Sequence, residues 1–244
     1  MRFDELNVAL ATLYLRLSGY FTTGLILHAP RKGGQNKGEI DCFAVRHHLH
    51  DQAARAVEMP PFLDIREGQI DLILCEVKSR NPEFNKSLQD PMNLGDALRW
   101  AGLFPHGDID AVARRLIPLL DQGADKDAAR EGIVEGNVRV RPLLCAPPLS
   151  EGDVKSWCLT GTELFRFLEQ CLDPAMAPAT CSRRYSYGLW GNAYADIIEW
   201  FKTKKRSVPA TWDELYAHLN PPAARIERGV RSGPSPGLTI PEPE

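Results

Sequence analysis

The stretch 71-DLILCEVKSR-80 decides how this chain is interpreted. Residues 71–77 predict a β-strand, and because side chains alternate along a strand, Leu74, Glu76 and Lys78 share one face. Both faces are apolar up to Cys75, which predicts a central strand covered on both sides. A buried carboxylate costs several kcal/mol unless it is paired, hydrogen-bonded or bound to a metal. Glu76, at the end of this strand, therefore needs a compensating partner.

The preceding strand-like segment, 39-EIDCFAVR-46, offers a second carboxylate, Asp41. Neighbouring strands would bring Asp41 beside Glu76. Two carboxylates with an open coordination position suit Mg²⁺ or Mn²⁺, which prefer oxygen ligands and retain waters. The Lys78 ammonium would then orient or deprotonate the attacking water and offset developing charge. This combination predicts hydrolysis of a phosphodiester.

Other interpretations of these residues remain open. Glu76 and Lys78 could form a plain ion pair at the end of a strand, with no catalytic role. Asp71 is a poor partner for Glu76, because it points to the opposite face and lies ~16 Å away along an extended strand. Asp64, in 61-PFLDIREGQ-69, is a rival to Asp41, because a short hairpin would place it opposite the third strand.

The paired segments 38-GEIDCFAVR-46 and 71-DLILCEVKSR-80 resemble the motifs of the PD-(D/E)XK nuclease superfamily. The segment 14-YLRLSGYF-21 resembles the end of the helix that precedes those strands. The resemblance covers about residues 1–85, without a proline before Asp41 and with a long connection from His47 to Gln69. It implies an α/β restriction-endonuclease-like fold, in which a central mixed β-sheet is flanked by helices and followed by additional C-terminal helices.

The resemblance also implies roles for individual residues. Asp41 and Glu76 would be metal ligands for Mg²⁺ or Mn²⁺ with the Val77 carbonyl as a third, and Lys78 would be the catalytic lysine. An acid on the first helix would complete the site, and Glu5 is the candidate; its alternative role is a surface acid favoured by the helix dipole. Basic side chains would flank a nucleic-acid backbone at four positions: Lys32, Lys37, Arg80 and Lys86.

Composition limits the class of protein. With 244 residues, 43% hydrophobic and 25% charged, the chain has ordinary globular composition. Its net charge of -3 gives no general attraction to nucleic acid or anionic membranes. No apolar run approaches the ~20 residues of a membrane span, and the N-terminus lacks the layout of a signal peptide. Six scattered cysteines predict reduced, mostly buried thiols in a cytoplasmic protein.

The predicted order of elements is helix, three strands, helices, two strands and helices, which indicates one domain over residues 1–219. The core motifs would occupy residues 1–85 and an elaboration residues 86–219, with a disordered or partner-ordered tail at 220–244. Pro142 predicts an edge strand or a bulge in 138-VRVRPLLCAP-147. Capping boxes are predicted at Thr160 with Glu163 and at Thr211 with Glu214.

Three further clusters have competing interpretations. The run 47-HHLHD-51 predicts exposed loop or substrate-contact histidines rather than a metal site. The basic run 202-KTKKR-206 fits a helix C-terminus or a phosphate-binding patch. The aromatic-rich segment 185–201 predicts core or a protein interface more than base stacking.

Together these features predict a nuclease that hydrolyses DNA with Mg²⁺ or Mn²⁺, with RNA not excluded as substrate. Its expected setting is a subunit of a bacterial defence (antiviral) or repair assembly, an expectation that follows by analogy from the resemblance. A protein partner bound through the aromatic-rich C-terminal part or the tail, and a homodimer, are further expectations. The alternative is a catalytically inactive scaffold or interaction subunit that retains the fold.

Overall fold

The computed structural model describes residues 1–28, 36–51, 57–175, 191–203 and 209–221, with backbone alone at 28, 36 and 37. Its helices are α1 (Phe3–Leu17), α2 (Pro91–Ala101), α3 (Ile109–Leu116), α4 (Lys126–Glu131), α5 (Gly161–Leu172), α6 (Asn192–Thr203) and α7 (Trp212–Leu219). Its strands are β1 (Phe21–His28), β2 (Asn36–Arg46), β3 (Ile70–Val77), β4 (Ile133–Glu135), β5 (Val138–Ala146) and β6 (Cys158–Thr160).

The strands form a six-stranded mixed sheet in the order β1-β2-β3-β5-β4, with β6 also pairing with β5. β1, β2 and β3 form an antiparallel meander, and the chain then crosses over to β5, which runs parallel to β3. The crossover contains α2, α3 and α4, as parallel strands require a long connection. The fold is therefore mixed α/β, as the sequence predicts.

Helices cover both faces of the sheet. On one face α1, α5, α6 and α7 pack over a cluster that includes Ile73 and Cys75 of β3. On the other face α2 and α3 pack over Leu72 and Leu74. The predicted alternation of β3 and its burial on both faces are confirmed, and all residues from Asp71 to Glu76 are buried.

Helix α1 carries the first functional candidates. Leu6, Leu10 and Leu13 are fully buried against the sheet, as their helical spacing predicts. The helix ends at Leu17, and Gly19 follows with φ of 87°, a left-handed conformation that favours glycine. The first helix thus ends within the segment 14–21, which the sequence analysis interprets as a helix end.

The prediction of an edge strand or a bulge at Pro142 is wrong, because β5 is an inner strand. β3 flanks β5 on one side, while on the other β4 pairs with Val138–Val140 and β6 with Leu144–Ala146. Between these two, none of the described strands pairs with β5. The Lys78 N–H donates to the Cys145 carbonyl, so alternate residues bond to β3 and Pro142 faces the gap. The missing N–H of proline is therefore tolerated inside the sheet.

The two predicted capping boxes have different outcomes. Thr211 accepts a hydrogen bond from the Glu214 N–H, which confirms the box at α7. Thr160 makes no such bond at α5. Instead, the Glu163 carboxylate accepts hydrogen bonds from Tyr14 and Arg166, so that prediction is wrong.

A buried ionic network lies at the start of β3. Asp71, only 3% exposed, is opposite Arg139 in the parallel register and accepts hydrogen bonds from Arg139, Arg141 and Tyr20. Burial alone would raise the pKa of Asp71, but the charges and hydrogen bonds of its partners hold it below its usual value. Asp64 belongs to this same end of β3, 3.4 Å from the Arg139 guanidinium. Asp64 is thus remote from Glu76, and the rival to Asp41 is removed.

Other predictions are resolved by burial. The five described cysteines form no disulfide with one another and are buried, as expected, while Cys181 lies outside the described residues. Trp200 and Phe201 belong to the core, which favours the core interpretation of the aromatic segment. Tyr185, Tyr187 and Trp190 lie outside the described residues, as do 222–244 of the predicted tail. Among the described helices, none is long and apolar enough to cross a membrane.

Candidate functional site

A β-bulge positions Asp41. Thr23 pairs with Phe43 and Leu25 with Ile40, so one residue of β1 opposes two of β2, Asp41 and Cys42. As a result Ile40 and Phe43 lie in the same core cluster, which regular alternation would forbid. Bulges of this kind redirect a side chain and end strand pairing, and both effects occur here.

The pairing of β2 with β3 ends at the bulge. Its last register pair is Cys42 with Cys75, and beyond it the Asp41 carboxylate replaces a backbone acceptor. Asp41 Oδ2 accepts a hydrogen bond from the Val77 N–H at 2.7 Å. Since the N–H and C=O of an extended residue point to the same side, the Val77 carbonyl is also directed towards β2. Asp41 and the Val77 carbonyl thus meet where the two strands separate.

Glu76 and Lys78 are joined by a residue that the sequence analysis missed, Asn85. Lys78 Nζ donates to Glu76 Oε1 and to Asn85 Oδ1, each at 2.7 Å. The Asn85 amide NH₂ donates to the same Glu76 oxygen. These three side chains form a closed ring of hydrogen bonds, which fixes the lysine and leaves the second carboxylate oxygen outside the ring.

That second oxygen, Glu76 Oε2, is buried and has no hydrogen-bond partner among the residues that the structure describes. The Glu76 side chain is 1% exposed, so an unpaired charge here is costly. The pKa of Glu76 is raised to about 7, chiefly by burial; the Lys78 hydrogen bond opposes the rise and the nearby Asp41 charge adds to it. Burial also raises the pKa of Asp41. An oxygen left without a partner beside a second carboxylate marks a place for a cation.

The residues fit a divalent cation with oxygen ligands. Asp41, Glu76, Val77 and Lys78 line one cavity of about 230 Å³, called the site cavity below. Mg²⁺ is commonly bound by one or two carboxylates and keeps several waters, so two acids and a carbonyl suffice. Among the described residues, no group of three or more His, Cys, Asp or Glu side chains is placed to hold a metal ion. The donors that line the site cavity are oxygen atoms, and such donors suit Mg²⁺ or Mn²⁺ better than zinc.

Helix α1 brings Asp4, rather than Glu5, to the site cavity. Asp4 Oδ1 accepts a hydrogen bond from the Ser79 hydroxyl at 2.6 Å. Asn7, buried at 1%, donates to the Ser79 hydroxyl oxygen and accepts from the Trp212 indole of α7. Glu5 is turned away: its carboxylate pairs with Arg2 at 2.7 Å on the surface.

Only two of the four predicted nucleic-acid contacts have side chains in the described part of the chain. Arg80 and Lys86 are exposed on the segment that follows β3. Lys32 and the side chain of Lys37 lie outside the described part of the chain. His47 and His48 are exposed in the turn after β2, in agreement with the loop interpretation, whereas His50 is half-buried. Of the basic run, 204–206 lie outside the described residues.

Two of the site residues that the sequence analysis missed, Asp4 and Asn7, had a signal in the sequence. Asn7 is a polar residue among the apolar positions of α1, and Asp4 lies one helical turn before it, so the two share a face. A polar residue on a buried face needs a partner, which points to this side of α1. Asn85 had no such signal, because it lies in an irregular segment whose path only the fold determines.

The raised pKa of Glu76 predicts how the metal-free protein responds to pH. The folded state keeps a proton up to about pH 7 that the unfolded chain loses above about 4.5. The free energy of unfolding should therefore decrease as pH rises from about 4.5 to about 7. Urea denaturation in EDTA across this range measures it. Glu76→Gln should flatten the decrease, and an unchanged slope in that variant would contradict the assignment.

No protein-family model, curated protein or solved structure was found to match this chain. The chemistry of the site must therefore be argued from its own geometry.

Proposed function

We propose that this protein is a metal-dependent nuclease that hydrolyses DNA phosphodiester bonds. The observation that carries the proposal is the buried, unpartnered Oε2 of Glu76, in one cavity with Asp41 and beside the Lys78 ammonium. A plain ion pair would satisfy Glu76 through Oε1 alone and would not explain a second carboxylate in the same cavity. The six-stranded mixed sheet with helices on both faces supports the restriction-endonuclease-like fold.

Each residue has a distinct role in this proposal. Asp41, Glu76 and the Val77 carbonyl would hold Mg²⁺ or Mn²⁺, which when bound polarises a phosphoryl oxygen and acidifies a bound water. Lys78 is 22% exposed, so its ammonium can reach both the buried carboxylate and a substrate at the cavity mouth. It orients the attacking water and stabilises negative charge that develops on the phosphoryl oxygens. Asn85 holds Lys78 in position.

The setting of the enzyme is also part of the proposal. A nuclease subunit of a bacterial defence or repair assembly would need little affinity for nucleic acid of its own. The net charge of -3 supports such an arrangement, because a solitary DNA enzyme usually carries a strongly basic face.

Cleavage of a mixed substrate panel tests the function. Plasmid, linear duplex, single-stranded DNA and RNA are incubated with the full chain and Mg²⁺ or Mn²⁺. We expect cleavage that EDTA abolishes and that Lys78→Ala and Asp41→Asn each reduce by at least about 100-fold, because each variant removes charge stabilisation in the transition state. Asp64→Asn is the matched control and should retain activity.

Two results would contradict the proposal. Cleavage that persists in EDTA would exclude the metal site as its origin. Inertness of the wild-type chain on every substrate would favour the scaffold function, and a pull-down for a partner would then replace the cleavage assay.

A further inference from the structure

A second, larger cavity opens directly beside the site cavity. It has a volume of about 830 Å³, and Val8 and Asp41 line both cavities. Its walls are one face of α1, the beginning of the edge strand β1, the turn after β2 and the start of α6. We call it the α1–β1 cleft. A polymer held at Asp41 therefore has a continuous path into this cleft.

The described lining of the α1–β1 cleft is aromatic and hydroxylic rather than basic. Phe21 is 66% exposed, although it is a large apolar side chain on an edge strand. Tyr194 lies across the cleft, with the Arg16 guanidinium 5.2 Å from its ring centroid. The cationic groups among the described lining residues are Arg16 and, when protonated, His50. Such a surface offers a ligand the exposed Phe21 ring and the Tyr194 ring, one face of which the Arg16 guanidinium covers, and few charges.

The position of Phe21 relates it to the site. Gly24 opposes the bulge that carries Asp41, and Phe21 lies three residues before it on β1. At 3.3 Å per residue the two are separated by about 10 Å along the strand. A base near a phosphate bound at Asp41 would thus come within reach of the Phe21 ring.

We propose that the α1–β1 cleft binds an unpaired polynucleotide strand, with bases stacked on Phe21 and Tyr194. This inference rests on the proposed nuclease function and specifies its substrate as single-stranded. Bases in a duplex are already stacked and paired, and their faces cannot lie on a side chain, whereas every unpaired base can. The described lining offers few cations and several aromatic rings, so we expect stacking to supply the affinity that these residues give.

Binding assays test the cleft separately from catalysis. Fluorescence anisotropy with the full chain in Ca²⁺, which takes similar oxygen ligands, compares a twelve-nucleotide dT strand, an abasic strand of equal length and a blunt hairpin duplex. Gels verify that the probes stay intact. We expect the dT strand to bind at least about tenfold more tightly than either other probe, as one or two stacked bases would give.

Substitutions locate the binding. Phe21→Ala should weaken binding of the dT strand about tenfold and leave the abasic strand unaffected. Ile26→Ala is the matched control, because Ile26 is 50% exposed on the same strand and does not line the cleft. It should change neither affinity. Thermal denaturation confirms that both variants fold.

Each outcome bears on the inference. Equal binding of dT and abasic strands, tighter binding of the duplex, or equal losses in both variants would overturn it. An rU strand that binds as well as dT keeps the inference and assigns RNA as a ligand source. If the dT strand bound by stacking but the chain did not cleave it with Mg²⁺ or Mn²⁺, the proposal for the cleft would stand and the nuclease proposal would be refuted. If the chain cleaved duplex DNA alone and Phe21→Ala did not affect that cleavage, the nuclease proposal would stand and the proposal for the cleft would be refuted.

Discussion

Glu76→Gln should reduce metal-dependent cleavage by about 1,000-fold, which corresponds to about 4 kcal/mol of lost transition-state stabilisation. The amide keeps an oxygen for Lys78 and Asn85 but presents an NH₂ group where a cation needs an oxygen. Mg²⁺ should therefore no longer raise the melting temperature, as it does for any protein whose folded state binds it. Without metal, the variant should be at least as stable as the wild type at pH 8, because a buried charge is removed.

The readouts are kcat/KM and the melting temperature with and without Mg²⁺. Glu83→Gln is the matched control, since Glu83 is an exposed acid on the segment after β3, bonded to Gln122. It should behave as the wild type in both assays. If the Glu76 variant kept its Mg²⁺-induced shift, the cation would bind elsewhere. If it were destabilised without metal, Glu76 would be a purely structural partner of Lys78.

Asp71→Asn should lower the free energy of unfolding by about 3–5 kcal/mol, the range for breaking a buried ion pair by removing one partner. Arg139 and Arg141 are fully buried, and Asp71 is the acid that both contact. Without its charge, the two buried guanidinium groups keep backbone carbonyl acceptors, and Arg139 keeps the half-exposed Asp64 carboxylate at 3.4 Å, but the buried counter-charge is lost. The unfolded state, in which both arginines are hydrated, is then favoured.

Urea denaturation at neutral pH measures this effect. Asp64→Asn is its control, because Asp64 is 38% exposed and asparagine tolerates its φ of 45°. We expect a loss of about 1 kcal/mol or less there. Similar losses in both variants would show that the network is worth no more than a surface ion pair. Activity per folded molecule should persist in Asp71→Asn, since Asp71 and Glu76 lie five residues apart on β3.

Five of the six described strands and the α1 helix could be predicted because their periodicities are strong, whereas the three-residue strand β4 was missed. The alternation of β3 gave its two buried faces, and the placement of Asp41 near Glu76 followed from two neighbouring strands. The buried arginine pair was missed, although Arg139 and Arg141 alternate on a strand that is otherwise apolar. Two cations at that spacing in a buried strand call for an acid, and Asp71 was available.

The remaining part of the site depends on tertiary structure. Glu5 and Asp4 are adjacent, and a rotation of about 100° per residue decides which one faces the sheet. The N-terminal pairing of Glu5 with Arg2 could not be weighed against the Ser79 bond of Asp4 before the fold placed Ser79 beside α1. Asn85 likewise meets Lys78 only because the segment after β3 turns back over the strand end.

The bulge in β2 makes the site sensitive to residue number more than to residue type. Ile40 and Phe43 both pack in the cluster beneath α2 and α3. In a regular strand a single residue would separate two side chains on the same face, so the second residue between them is the extra residue of the bulge. Neighbouring side chains could be exchanged during evolution without moving Asp41. Loss of a single codon between 40 and 43 would restore regular alternation and point the remaining side chain towards α1, as Cys42 does. Among natural variants of this chain, active sequences should therefore vary in residue type between positions 40 and 43 but not in the number of residues there.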